Sequence, residues 1–149
     1  MLVDIYMKEA LKEARKSYKN DDVPVGAVIV RNDKIIAKAH NQKEKNKIAT
    51  QHAEILVIEK ACKKINSWHL DECTLYVTLE PCLMCFGAIL ESRIKKIVYA
   101  TSSEKFGFDS STGNILYEKI NNKNIEIING ICKEESQKLL VDFFKSKRK

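Results

Sequence analysis

Apolar positions near the start of the chain recur at helical spacing. Val3, Tyr6 or Met7, Ala10, Ala14 and Tyr18 fall on one side, with Lys and Glu between them. That period predicts an amphipathic first helix. Asn20-Asp21-Asp22 breaks it, and Val23-Pro24-Val25-Gly26 leads into Ala27-Val28-Ile29-Val30, a short run of strand type. Asn32-Asp33 supplies a turn, so Lys34 to Ala39 returns as the antiparallel arm of a hairpin that ends at His40-Asn41. The polar stretch from Gln42 to Asn46 reads as a loop. Thr50 reads as the cap of a second helix that turns Ile55, Leu56, Ile58, Ala61 and Cys62 toward a core.

After the loop Asn66-Ser67-Trp68-His69, the run from Cys73 to Leu79 is rich in β-branched and aromatic residues and predicts a buried strand. Trp68 and His69 read as packing beside it. Leu83 to Glu91 predicts a third helix and Lys96 to Ala100 a fourth strand. A loop rich in Ser and Gly follows from Thr101 to Gly113, then a short helix near Ile115 to Lys119 and a fifth strand at Ile125 to Ile128. A closing helix from Lys133 to Lys147 turns Leu139, Leu140, Phe143 and Phe144 inward. Helices alternating with strands after an opening hairpin predict a three-layer α/β/α fold around a five-stranded sheet of mixed direction.

Composition narrows this picture without changing it. At 149 residues, with no internal repeat, linker or low-complexity tract, residues 1–149 are expected to form a single domain. No run approaches the roughly 20 apolar residues of a membrane span. The N-terminus turns charged by Asp4, unlike a signal peptide, so a cytoplasmic protein is expected. The net charge of +6 is compatible with a polyanionic partner. Four of the basic residues sit in the tail Lys145-Ser146-Lys147-Arg148-Lys149, which a solvated helix end would also explain.

The chemistry concentrates in two short segments. Pro81-Cys82-Leu83-Met84-Cys85 opens a helix with two cysteines three residues apart, which places both thiols on one face of the first turn. Alone, that spacing would equally suit a redox pair or half of a structural zinc site. His52-Ala53-Glu54 opens another helical run and supplies a ring nitrogen with a carboxylate two residues on. His52, Cys82 and Cys85 are three ligands for Zn²⁺, one short of tetrahedral closure, and an open position distinguishes a catalytic site from a structural one. Zinc there would lower the pKa of a water toward about 7. Glu54, too close to His52 to ligate the same ion easily, is placed to take that water's proton. The remaining cysteines, Cys62, Cys73 and Cys132, read as buried thiols.

His-x-Glu joined to Pro-Cys-x-x-Cys is the pattern of zinc-dependent nucleobase deaminases. On these motifs the chain resembles the cytidine/deoxycytidylate deaminase superfamily. It is most similar to the bacterial tRNA-specific adenosine deaminases, which convert the wobble adenosine to inosine. The likeness extends through Asp22-Val23-Pro24-Val25-Gly26-Ala27-Val28, Asn41, Leu75 to Glu80, Gly87-Ala88-Ile89 with Ser92-Arg93-Ile94, and Leu139-Leu140 with Phe143-Phe144.

The resemblance implies a cytidine-deaminase-like fold, one Zn²⁺ per subunit, a tRNA anticodon stem-loop as substrate and a homodimer. It also implies that Asn41 hydrogen-bonds the purine and that Val25, Ala53, Glu80 and Pro81 line the pocket. Two segments depart from the bacterial tRNA pattern: Ser103 to Ser111 stands where Asp-x-Lys-x-Gly-Ala-x-Gly-Ser is usual, and Asn122-Lys123-Asn124 where Asn-His-Arg is usual. Gly107-Phe108-Asp109 is similar to bacterial guanine deaminases and would bring Asp109 to the base. A free-base deaminase acting on guanine or cytosine is therefore the alternative. A zinc-stapled RNA-binding module is a third reading, which Glu54 and the missing fourth ligand disfavour.

Overall fold

The computed structural model describes residues 1–112 and 125–147. Helix α1 (Leu2–Lys19) packs over a hairpin of β1 (Gly26–Arg31) and β2 (Lys34–His40). Next come a single turn, α2 (Lys43–Asn46), then α3 (Ala53–Ile65), β3 (Cys73–Leu79), α4 (Leu83–Glu91) and β4 (Lys96–Thr101). A short 3₁₀ turn (Ser110–Thr112), β5 (Glu126–Asn129) and α5 (Lys133–Lys147) complete the described elements. The strand order is β2-β1-β3-β4-β5. β1 is antiparallel to both its neighbours, whereas β3, β4 and β5 run parallel, which is the mixed sheet the sequence predicts.

Alternation along the strands builds two cores. Ala27, Ile29, Leu75, Val77, Ile97 and Tyr99 face one way, against Val57 and Ala61 of α3 and Phe86 and Ile89 of α4. Val28, Val30, Tyr76, Val98 and Ala100 face the other way, against Tyr6, Met7 and Ala10 of α1. α5 joins α1's layer, because Phe143 meets Tyr18 edge-on at 5.6 Å and Ser136 Oγ donates to the Thr78 carbonyl at 2.6 Å. The hairpin turns at Asn32 and Asp33, whose φ of 51° and 61° place both in the left-handed region, as a tight two-residue turn demands. Gly26 lets α1 sit down on β1, since a Cβ there would fall on the Ala10 carbonyl and the Ala14 nitrogen.

Several expectations need correction. The stretch expected as a loop at Gln42 to Asn46 holds α2, because buried Asp22 accepts the backbone N–H groups of Glu44 and Lys45 at 2.6 and 3.1 Å. Thr50 is exposed and does not cap α3. The helix starts after His52, and its first N–H is satisfied by the side chain of Asn41, just past β2. Val57, not Ile55, joins Ala61 in the core, with Leu56, Ile58 and Cys62 half-buried against it as expected. Along α5, Phe143 is buried, Leu139 and Leu140 are half-buried and Phe144 is exposed.

Trp68 does not pack inward. It is 55% exposed, stacked on His69 at 3.7 Å with the Arg93 guanidinium 5.2 Å from its ring centroid. Of the three remaining thiols, Cys73 is buried and Cys62 and Cys132 are half-buried. The expected helix near Ile115 to Lys119, the segment Asn122-Lys123-Asn124 and the tail residues Arg148 and Lys149 lie outside the described residues.

Candidate metal centre and substrate cleft

Two helices aim their N-termini at one point. α3 follows β2 and the single turn of α2, and His52 is its N-cap in extended conformation. α4 follows β3 directly, with Pro81 ahead of Cys82 at the N-cap and Cys85 on the third helical residue. The helix termini thus deliver the three side chains at the carboxyl end of β3, the end of a parallel pair where ligands of α/β sheets collect. Each helix also contributes a partial positive charge, which favours thiolate there.

The Nδ1 of His52 lies 3.7 Å from Cys82 Sγ and 3.5 Å from Cys85 Sγ. The three ligand atoms all fall within 4.8 Å of one another. Tetrahedral Zn²⁺, with Zn–S of about 2.3 Å and Zn–N of about 2.0–2.1 Å, places N and S about 3.6 Å apart. The side chains are therefore already at the spacing a metal would impose, and this group could hold one.

Protonation at the site is divided among neighbours. Cys82 is held down to about 4, first by the hydrogen bond from the Cys85 thiol and, against its burial, by His52. Cys85 is pushed up by that same hydrogen bond and by burial. His52 is raised by its hydrogen bond with Cys82. Glu54 is buried on the first turn of α3, and burial raises its carboxyl to about 7, with the His52 charge and a hydrogen bond to Cys85 acting in the opposite direction. A carboxyl titrating near neutrality beside the candidate metal ligands is suited to both accepting and returning a proton.

These groups open onto a cleft of about 660 Å³. Val25, Asn41, His52, Glu54, Glu80 and Cys82 line it, and Lys43, Phe106, Leu140 and Phe144 extend its walls. Asn41 is clamped: its Nδ2 donates to the Val23 carbonyl at 3.1 Å and its Oδ1 accepts the Ala53 N–H at 2.7 Å. One hydrogen and one lone pair of that amide remain for a ligand. His40, beside it, is paired with buried Glu13 at 3.1 Å.

Three further residues expected at the pocket make contacts within the protein. Ala53 is fully buried, the Pro81 carbonyl accepts the Phe108 N–H, and Asp109 is not among the lining residues. The backbone N–H of Asp109 instead donates to Glu80 at 2.9 Å.

Glu80 has a role that sequence reasoning missed. Its buried carboxylate accepts three backbone N–H groups, from Ser103 at 3.0 Å and from Asp109 and Ser110 at 2.9 Å each. Gly107 packs so tightly against it that a Cβ there would fall on the carboxylate. Gly107 also bridges Cys82 in a short antiparallel pairing, which ties the loop to a candidate metal ligand. The only local signal was an acidic residue before Pro81, where the pocket was expected to use it directly.

The MafB19-like deaminase family matches residues 1–148. A tRNA-specific adenosine deaminase of Bacillus subtilis (strain 168) is 45% identical over 146 residues, covering 98% of this chain and 91% of that one. Among solved structures, one from a study of A-to-I editing by tRNA:A34 deaminases at the wobble position superposes with a TM-score of 0.85. It is 35% identical and covers 91% of this chain and 99% of that chain. A guanine deaminase of Bacillus subtilis superposes with a TM-score of 0.64 at 33% identity, over 80% of this chain and 73% of that chain.

Proposed function

The chain belongs to the MafB19-like deaminase family, and on that basis we propose that it is a tRNA adenosine deaminase, hydrolysing the wobble adenosine of a tRNA anticodon loop to inosine. The observation that carries the chemistry is the meeting of His52 Nδ1 and the sulfurs of Cys82 and Cys85 at tetrahedral spacing, with buried Glu54 beside them. The tRNA substrate rests on the near full-length relatives.

His52, Cys82 and Cys85 would hold zinc, which when bound supplies Lewis-acid activation of the attacking water. Glu54 takes a proton from that water on its carboxylate oxygen and gives it to the purine ring nitrogen, then takes the proton left on the C6 hydroxyl and gives it to the departing amine. Water's oxygen ends on C6, the C6–N6 bond breaks and ammonia leaves. Asn41, held by Val23 and Ala53, presents its remaining hydrogen and lone pair to the purine edge. Val25 forms an apolar wall.

A single domain over residues 1–149 is consistent with the extent of the family match. Leu83 and Met84 are 55% and 39% exposed on the helix turn that carries the cysteines, an apolar surface suited to a second copy of the chain. A cytoplasmic location accords with a tRNA substrate, and no described helix is long and apolar enough to cross a membrane.

The likeness to a guanine deaminase raises a free-base reading. Against it, the acidic residue expected to meet the base, Asp109, is off the cleft lining. Ammonia release from the zinc-loaded protein with an A34 stem-loop, and separately with guanine, cytosine and adenine, decides between them. Inosine in the stem-loop supports the proposal. Efficient turnover of guanine with the stem-loop unchanged overturns it.

A further inference from the structure

We propose that Phe106 is a stacking platform for a nucleobase flanking the reacting adenosine. The inference rests on the RNA substrate just proposed and adds a specificity-determining residue to it. Phe106 is 65% exposed, the most exposed aromatic ring among the described residues, yet it lines the same cleft as His52, Glu54 and Asn41.

An exposed ring on a loose loop would mean little, but this loop is pinned at many points. Phe106 N–H donates to Ser103 Oγ at 3.3 Å and Gly107 N–H to the Ser103 carbonyl at 2.7 Å. Phe108 N–H donates to the Pro81 carbonyl at 2.8 Å, and the Phe108 ring is fully buried, parallel to Phe86 at 3.9 Å. Glu80 takes three further N–H groups of the same loop. The fold thus spends one phenylalanine as an anchor and holds another, two residues earlier, out at the cleft.

The ring's surroundings fit a nucleotide. Lys105 Nζ sits over the Phe106 ring, 5.3 Å from its centroid, so a cation is at hand for the phosphate of a nucleotide bound there. Phe144 and Leu140 continue the apolar wall, so the cleft is lined well beyond the groups that perform the chemistry. Unpaired loop bases expose flat π faces that stack on aromatic side chains largely independently of sequence. An anticodon loop presents such bases on both sides of the wobble nucleotide.

The test measures the affinity of the zinc-loaded protein for a fluorescein-labelled A34 stem-loop, alongside turnover. Phe106→Ala should weaken binding roughly 5- to 150-fold, the range that loss of one base–aromatic stack gives. Phe106→Tyr should restore it and Phe106→Leu should not. Abasic sugars placed singly on either side of the adenosine should weaken wild-type binding at one position, and Phe106→Ala should lose little more there.

Wild-type turnover of the stem-loop with unchanged Phe106→Ala affinity, or with fully additive abasic penalties, would overturn the platform while leaving the function intact. A binding loss that tracks altered self-association in sedimentation would overturn it as well, making Phe106 an interface residue. A wild-type protein that leaves the stem-loop unmodified refutes the functional proposal itself, and the platform with it.

Discussion

Glu80→Ala should loosen the loop from Ser103 to Ser110 without dismantling the sheet. The wild-type carboxylate accepts three backbone N–H groups at 2.9–3.0 Å while almost fully buried. Hydrogen bonds to a charged acceptor contribute about 1.5–3 kcal/mol each, and a buried donor left unpaired costs about 1–3 kcal/mol. The three cannot simply be added, because burying the carboxylate has its own cost and a loosened loop regains water. A net loss of about 3–5 kcal/mol is the reasoned outcome. Glu80→Gln should lose less, about 1–3 kcal/mol, since it keeps one acceptor but turns an amide toward a donor.

Urea unfolding measures the total, and hydrogen exchange of the Ser103, Asp109 and Ser110 amides locates it. Gly107→Ala attacks the same contact from the other side, since its Cβ would displace the carboxylate, and should raise exchange at the same three amides. Amides that stay protected in both variants, with stability within about 0.5 kcal/mol of wild type, would refute the idea that Glu80 organises the loop.

Cys82→Ser, Cys85→Ser and His52→Ala should each lose zinc and activity together, read by metal analysis after dialysis; stoichiometric zinc in all three would reject the ligand set. Glu54→Gln should keep zinc and lower kcat by roughly 10²–10⁴-fold, read in single-turnover assays. In the metal-free protein the same substitution should show a pH signature. With the Glu54 carboxyl at about 7 when folded and 4.5 ordinarily, the folded state holds a proton that the unfolded chain has lost between those values. Wild-type stability should therefore fall as pH rises through that window. Glu54→Gln should be the more stable protein above pH ~7, by up to about 3 kcal/mol, an advantage that vanishes below pH ~4.5. Lys43, on the cleft lining, should carry a phosphate contact, so Lys43→Gln should flatten the log–log salt dependence of RNA binding by roughly 0.7–0.9. Lys147→Gln should leave that slope unchanged, because Lys147 is ion-paired with Asp21 at 2.5 Å and lies over Phe143.

The order of strands and helices was legible because each element carries its own signal: α1 reads at 3.6, the hairpin carries its turn in Asn32-Asp33, and β3 is rich in β-branched and apolar residues. The grouping of His52, Cys82 and Cys85 was legible because both segments are local and fixed by chemistry. What stayed hidden depends on partners distant in the chain. α2 exists because Asp22 caps it from 22 and 23 residues away, and nothing in Lys43-Glu44-Lys45-Asn46 announces a helix. The hold of Glu80 on its loop stayed hidden, because its partners lie 23 to 30 residues further on. Phe144 looked inward by helical spacing, but α5 turns it to the cleft. A period shows which face of an element is apolar, not whether that face meets the core or a ligand.

The clamp on Asn41 complicates how mutagenesis at that position should be interpreted. Its amide oxygen replaces the missing cap of α3, the helix that carries His52 and Glu54, while its nitrogen holds the Val23 carbonyl. Loss of a capping acceptor alone costs about 1 kcal/mol. In an Asn41→Ala enzyme, loss of the proposed purine contact and a displaced helix start would therefore be measured as one number. Epistasis can separate them: if the cap dominates, a stabilising change elsewhere in α3 will rescue Asn41→Ala, and the residue's apparent catalytic weight will shrink in that background.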